Sequence, residues 1–320
     1  MKKNKIKDTG LEVTELSFGT SSLGSMPDTY GYEVSEDRAQ KTLNRFFQGP
    51  VNMLDTSRNY AMGESEKRIG KAIKENGGWP NGFLLSTKLD RNMDTLVLDK
   101  NRVRESLEES LKTLNVDSVD ILFLHDPEYA KDINDITKKG GAMDELFKIK
   151  NEGLAKAAGV AMGKVDIMFP LLKDWDFDVI INHNRYTLLN REANEMYEYA
   201  SSKNIAIFNA APYAGGILAK GPDNFKKITY QDATEEKLAP AREFEKVCKK
   251  HNVELGAAAL QFSLRDNRIT STICGVTSVE SIEKNLAWAN TNIPEEFWNE
   301  VLKLPYSTKD PESERNFTPG

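Results

Sequence analysis

The sequence predicts a (β/α)8 barrel in a single domain over residues 1–320, with a β-hairpin cap at its start and long loops after its fourth and seventh strands. Three observations carry that expectation. Eight short apolar runs alternate with amphipathic helical patterns from one end of the chain to the other. Most of the runs are continuously apolar, as strands of a parallel sheet buried on both faces must be. The competitor, an open doubly wound sheet, announces itself by a glycine fingerprint after its first strand, and "GTSSLG" is neither GxGxxG nor GxxxxGK.

Taken in order, the strands are expected at Leu16–Gly19, Val51–Asp55, Phe83–Lys88, Ser118–His125, Gly153–Val160, Asp178–Asn182, Ile205–Ala210 and Ser271–Gly275. Helical patterns fall between them at 36–48, 64–76, 100–114, 141–151, 164–173, 190–203, 237–251 and 278–290, with an extra helix at 254–265. A barrel of this kind takes about 250 residues, which leaves a surplus. Part of it is "KNKIKDTGLEVTEL", a hairpin with Thr9-Gly10 at its turn that would close the bottom of the barrel. The rest lies in polar loops at 126–140 and 211–236 and in a polar, proline-bearing tail from 305 onward.

Composition narrows the function classes. The net charge of −6 is mild and its signs are interspersed, without the basic stripe that phosphate backbones require, so nucleic acid is not an expected partner. Cys248 and Cys274 have no CxxC spacing and build no disulfide framework, which suits a reducing cytoplasm. The start "MKKNKIKDTGLEV" is basic but lacks the apolar stretch of a secretory signal, and no run is long enough to span a membrane. A soluble, cytoplasmic protein is expected; its oligomeric state is left open.

Catalytic side chains of such barrels come from the carboxyl ends of different strands. Read in order, those ends offer Asp55 after strand two, Lys88 in "LLSTKLD" after strand three and His125 in "ILFLHDP" after strand four, with Tyr60 on the loop after strand two. A charged or titratable residue closing an apolar strand three times in succession is more than packing asks for. A free tyrosine, with a pKa of about 10, exchanges protons poorly at neutral pH. A nearby ammonium is expected to lower that value and an imidazole to hydrogen-bond the same oxygen, while Asp55 fixes Lys88. The set moves a proton on or off a carbonyl or alcohol oxygen. It contains no metal-ligand spacing, since the three histidines are His125, His183 and His251, so no metal is expected and redox chemistry at carbon would need a cofactor hydride.

These residues and their surroundings resemble the aldo-keto reductase family over nearly the whole chain. "LDTSRNYAMGESEKRIGKAI" is similar to the family signature around its Asp and Tyr, and the tetrad Asp, Tyr, Lys, His falls on Asp55, Tyr60, Lys88 and His125. The resemblance implies NAD(P)H bound without a Rossmann unit. "FGTSSLG" then places Gly19 and Thr20 beside the nicotinamide ribose, near Asp55, and "AAPYAGGIL" lays Ala211 and Tyr213 along the pyrophosphate. "ICGVTSVESIEKNLAW" puts Gly275, Ser278, Ser281 and Asn285 on adenosine-contacting positions, and His183 falls near the family's carboxamide-binding Gln. The implied reaction passes hydride between nicotinamide and a carbonyl or alcohol carbon, with Tyr60 as general acid or base, Lys88 tuning it and His125 orienting the substrate oxygen.

Departures qualify the match. After strand five "GVAMGK" puts Ala161 and Met162 where many members carry Ser-Asn to grip the carboxamide. Gly275 and Ser281 stand where members that favour NADPH place Lys and Arg, and Glu280 and Glu283 add negative charge, so NAD is favoured over NADP. "RYTLLN" and "NAAPYAGGIL" are similar to the branch of aldose 1-dehydrogenases, L-fucose and L-galactose dehydrogenases and pyridoxal 4-dehydrogenase, which implies oxidation of an aldose at C1 or reduction of an aldehyde or ketone. Two other functions share the barrel. One is a cofactor-binding sensor or regulatory subunit with negligible turnover, as in potassium-channel β subunits. The other is a Schiff-base lyase with Lys88 as nucleophile, which a charge-pairing Asp55 argues against.

Overall fold

The computed structural model describes residues 1–315. The chain opens with an antiparallel hairpin, β1 (Lys3–Ile6) and β2 (Leu11–Thr14), and continues into β3 (Leu16–Gly19), α1 (Pro27–Tyr30), α2 (Glu36–Phe46) and β4 (Met53–Asp55). Next come α3 (Glu64–Glu75), β5 (Leu84–Leu89), α4 (Lys100–Leu114), β6 (Val119–His125), α5 (Asn134–Thr137), α6 (Ala142–Asn151) and β7 (Ala155–Met162). The second half carries α7 (Val165–Asp174), β8 (Val179–His183), α8 (Asn194–Ser202), β9 (Ala206–Ala210), α9 (Ile217–Lys220) and a small hairpin, β10 (Lys227–Ile228) with β11 (Gln231–Asp232). It ends with α10 (Glu235–Lys250), α11 (Leu255–Leu264), β12 (Ile269–Gly275), α12 (Val279–Asn290) and α13 (Glu295–Val301).

Eight parallel strands close in the order β12-β3-β4-β5-β6-β7-β8-β9. The expected (β/α)8 barrel is what forms, and its strands begin and end within two residues of the expected bounds. Each helix follows from local chemistry. Ser35 caps α2 by accepting from the Arg38 N–H at 3.3 Å, and Ala39, Thr42, Leu43 and Phe46 then fall on one buried stripe. Asp99 caps α4 by accepting from the Asn101 and Arg102 N–H groups, and Asn115 ends that helix in the left-handed region.

Two cores result from the period of two along each strand. Outward residues such as Leu122, Leu124, Leu85 and Ile180 pack beneath the helices. Inward residues fill the barrel with Met53, Leu84, Ile121, Phe123, Ala157, Val179, Phe208 and Ile273, and Ile6, Leu11 and Val13 of the hairpin plug its lower end. Each large apolar side chain buried this way contributes about 1.5–3 kcal/mol. The same inward parity, carried to the carboxyl ends, delivers Asp55 above Met53, Lys88 above Ser86 and Leu84, and His125 above Phe123. Packing at the bottom therefore sets which side chains meet at the top.

Some of the surplus chain has structure that its sequence does not announce. The loops after β6 and β9 hold α5, α9 and the β10–β11 hairpin. The tail beyond α13 folds back along the loop between β8 and α8, with Ser307 N–H donating to the Leu189 carbonyl and Arg191 N–H to that of Ser307. Among the described residues no helix is long and apolar enough to cross a membrane.

Gly70 is where α3 meets α4 most closely, because a Cβ there would lie 2.0 Å from the Thr113 carbonyl oxygen. Gly70→Ala is expected to cost about 1–3 kcal/mol in urea unfolding with little change in slope. An unaltered midpoint would mean that the two helices are not in this contact.

Candidate active site

The mouth of the barrel opens into a cleft of about 660 Å³ whose floor is formed by the inward-facing strand ends. Lys88 is buried there. Its Nζ donates to Asp55 Oδ2 at 2.6 Å, to the Thr56 carbonyl at 2.6 Å and to the Tyr60 hydroxyl at 3.0 Å. The other Asp55 oxygen accepts from Ser86 Oγ at 2.9 Å, so the carboxylate is held on both sides. A buried ion pair is sustained only when its remaining donors and acceptors are also satisfied, and here they are.

Tyr60 owes its position to an unusual turn. After it, Ala61 and Met62 have φ of 52° and 54° and Gly63 has φ of 91°, three left-handed residues in succession before α3 starts. For Ala and Met that conformation costs about 1–2 kcal/mol each. Glycine suits position 63 through its left-handed φ; a Cβ there would have to displace only the end of the flexible Arg58 side chain. The strained turn swings the phenol back over Lys88, whose Nζ lies 4.5 Å from the ring centre.

Two sequence expectations about this phenol are corrected. Its pKa lies well above 10 rather than below it, because withdrawal from water raises it and the negative charge of Asp55 raises it further. Lys88 does not reverse this, because Asp55 already balances its charge. The imidazole of His125 does not hydrogen-bond the phenol either; the two rings meet edge to face at 5.6 Å. His125 instead turns Nδ1 to Asp90 Oδ1 at 2.6 Å, with Ser57 Oγ at 3.1 Å. Burial works against charging this imidazole, but the carboxylates of Asp90 and Asp126 outweigh it and its pKa is raised. Burial likewise opposes ionising Asp90, but His125, Ser57 and the Asn59 N–H outweigh it and its pKa is lowered. Sequence reasoning missed Asp90 and Ser57. The one signal was an acid two residues beyond Lys88, whose partners belong to other strands.

The cleft runs from Tyr60 along the ends of β9 and β12 to α12. Gly19, Ala211, Tyr213, Gly275, Ser281 and Asn285 line it, as does His183. Thr20 and Ser278 do not. Thr20 is buried, its N–H and hydroxyl both donating to the Asp55 carbonyl, at 3.0 and 2.9 Å. Ser278 is the cap of α12 in a reciprocal box with Ser281, whose own Oγ donates to the Ser278 carbonyl at 2.6 Å. Asn285 accepts from the Tyr213 hydroxyl at 2.5 Å. The Ala161 side chain faces the cleft, and Met162 is buried on the other face.

His183 is tied to the tail. Glu312 Oε1 accepts from Asn184 Nδ2 and Arg185 Nη1, both at 2.9 Å, and lies 3.6 Å from His183 Nδ1. Burial pushes the Glu312 carboxyl up, but His183, Arg185 and Asn184 outweigh it and hold it well below the usual carboxylate range. Three consecutive residues, the last of β8 and the two after it, thus converge on one buried acid of the tail. The same end brings Arg315 to the cleft, its guanidinium 5.3 Å from the Tyr230 ring centre.

Besides Lys88, Arg91 and Arg315, three further cations line the cleft at positions other than those the family resemblance would supply. Lys220, at the end of α9, lies over the rings of Tyr32 and Phe225, and burial lowers its pKa. Among the described residues no carboxylate lies within ion-pair distance of Lys220. Arg38 reaches from α2 to Thr277 Oγ1 at 3.4 Å, and Lys284 borders the same end from α12.

A model of the aldo/keto reductase family matches residues 15–304. The chain belongs to the aldo/keto reductase family. Among its relatives, L-galactose dehydrogenase of Arabidopsis thaliana is 31% identical, over 88% of this chain and 85% of its own. Pyridoxal 4-dehydrogenase of Microbacterium luteolum is 27% identical over 92% and 95%, and D-threo-aldose 1-dehydrogenase of a Pseudomonas species 27% over 92% and 94%. The fold matches an aldo-keto reductase of Bacillus halodurans with a TM-score of 0.79, at 21% identity over 98% of this chain and 99% of that one. This aldo/keto reductase is thus an NAD(P)-dependent oxidoreductase, and the named relatives are those of the branch its motifs resemble. Its cleft suits a dinucleotide. Lys220 lines it with no carboxylate partner among the described residues, and a Cβ at Gly275 would meet nothing within 4 Å, leaving open room against the strand end.

If the Asp55–Lys88 pair is the keystone of this aldo/keto reductase's floor, Lys88→Met alone is expected to cost about 3–5 kcal/mol by stranding a buried carboxylate. Adding Asp55→Asn should recover part of that loss in denaturant unfolding. Strictly additive losses would show that the two side chains are not coupled.

Proposed function

We propose that this enzyme oxidises an aldose at C1, or in the reverse sense reduces an aldehyde or ketone, with Tyr60 exchanging the proton at the substrate oxygen. The observation that carries this reading is the contact of one buried ammonium, Lys88, with Asp55 and with the Tyr60 hydroxyl on the floor of an elongated cleft. When bound, the nicotinamide dinucleotide supplies the hydride acceptor or donor. Everything else falls to the chain's own residues. Gly19, His183, Ala211, Tyr213, Gly275, Ser281 and Asn285 line the path proposed for the dinucleotide, and Asp55 closes its inner end.

A phenol kept neutral to high pH is a ready donor to a carbonyl oxygen. In the opposite direction a phenolate must form to accept the alcohol proton, and the Lys88 N–H that already reaches the hydroxyl at 3.0 Å remains its hydrogen-bond donor. Aldose oxidation is favoured because two of the relatives are named as sugar dehydrogenases. NAD is the proposed cofactor, since Gly275 and Ser281 bring no charge to the adenosine end; Arg38 and Lys284 at that end make a direct comparison with NADP part of the test. The Schiff-base reading loses support, since the three N–H groups of Lys88 match three oxygens and leave no lone pair for attack. The regulatory-subunit reading predicts dinucleotide binding without turnover.

Initial rates with L-galactose, L-fucose, D-arabinose, pyridoxal and simple aldehydes, each with NAD and NADP forms, test the proposal. Tyr60→Phe is expected to lower turnover by about 10²-fold or more while dinucleotide affinity holds within about threefold. Intact turnover, or affinity lost in step with it, would contradict the role given to Tyr60.

A further inference from the structure

Asp90 is wholly buried, and its carboxylate is fixed from three sides: His125 Nδ1 at 2.6 Å, Ser57 Oγ at 2.5 Å and the Asn59 N–H at 3.0 Å. Its own N–H donates to Ser106 Oγ at 2.9 Å, which holds the backbone as well. The only proton on Ser57 Oγ goes to Asp90, since a carboxylate offers acceptors alone, so toward His125 that oxygen is an acceptor too. Both groups within reach of Nδ1 are therefore acceptors, and Nδ1 must carry a hydrogen. The other nitrogen, Nε2, stands 3.8 Å from Asp126 Oδ2, beyond hydrogen-bonding range, on a ring that borders the cleft beside Tyr60.

We infer that Asp90 locks His125 in the tautomer protonated at Nδ1, so that Nε2 donates to a substrate oxygen only when the ring is charged and accepts from one only when it is neutral. Asp90 is thus a positioning residue acting through His125. Reduction, in which a carbonyl oxygen needs donors, calls for the imidazolium. Oxidation, in which the hydroxyl's one proton goes to Tyr60, calls for an enzyme one proton poorer; at rest that proton is missing from the ring, since the phenol keeps its own to high pH. This assignment of direction to charge rests on the oxidoreductase reading above; the tautomer lock does not.

The charged groups facing the ring are Lys88 from β5, Asp90 immediately after it and Asp126 from the loop after β6, with the neutral Tyr60 at its edge. Burial and Lys88 oppose the imidazolium, and the two carboxylates outweigh them, so the charged ring persists to higher pH than that of a free histidine. Reductive kcat/KM is expected to fall as pH rises through this raised value, and oxidative kcat/KM to rise through it.

Three histidines make the lock directly observable by ¹⁵N imidazole NMR of the full chain, without cofactor or substrate, with His125 assigned by its loss in His125→Gln. The expected result is a neutral form protonated at Nδ1 and a midpoint above the ordinary value of about 6.5. Asp90→Asn keeps an acceptor for Nδ1–H but removes the charge, and should lower the midpoint by about one unit with the tautomer retained. The breaks in both pH–rate profiles should move down with it. A neutral form protonated at Nε2 in the wild type, or a midpoint indifferent to Asp90→Asn, overturns the inference. Because the wild-type spectrum alone decides the tautomer, a poorly folding variant does not rescue it. An intact lock in a protein that turns over nothing would instead fault the oxidoreductase reading.

Discussion

A buried charge has to be answered, and the whole upper face of this barrel is organised around one answer. Lys88 and Asp55 meet at 2.6 Å on adjacent strands, almost out of contact with water. Neither is tolerable there without the other. Their pairing fixes the ammonium against the Thr56 carbonyl and the Tyr60 hydroxyl, so a requirement of stability positions the phenol. The backbone of Asp55 is held in turn by Thr20, which ties the end of β3 to the same point. The pair also explains the state of the phenol. An ammonium balanced by a carboxylate lends little positive charge to its next neighbour, and Tyr60 stays neutral.

Around this keystone the strain and the satisfaction of polar groups are distributed unevenly. The left-handed run Ala61–Met62–Gly63 is a conformation that the chain adopts only because α3 and the barrel hold its two ends. On the opposite side the tail is anchored by Glu312 to His183, Asn184 and Arg185, which brings Arg315 to the cleft. Between them His125 is held by Asp90 and Ser57. Each side chain at the cleft floor is thus backed by a second residue that does not itself need to touch substrate.

The barrel was legible because its strands obey a short-range rule. Continuous apolar runs such as Ile121–Leu124 are buried on both faces, and inward parity alone places Asp55, Lys88 and His125 together. The capping hairpin was legible from Thr9-Gly10. What could not be read depends on encounters between distant segments. Asp90 looks like any loop acid until β5 and β6 pair. Glu312 lies more than a hundred residues from Asn184 and Arg185. Arg38 and Lys220 reach the cleft from helices that sequence alone did not direct there. Thr20 and Ser278 were assigned to a cofactor by position, whereas local backbone groups claim them. The sign of the Tyr60 shift was misjudged by weighing Lys88 without the desolvation and the Asp55 charge that accompany it.

The most direct test of this account is an ultraviolet difference titration of the ligand-free protein, taken as wild type minus Tyr60→Phe, which isolates the ionisation of one phenol. With Asp55 cancelling the charge of Lys88, the difference spectrum should show no tyrosinate until pH has passed the ordinary value of about 10. A tyrosinate signal from Tyr60 below that pH would mean that Lys88 acts on it as an unbalanced charge, and the organising role given to the Asp55–Lys88 pair would be wrong.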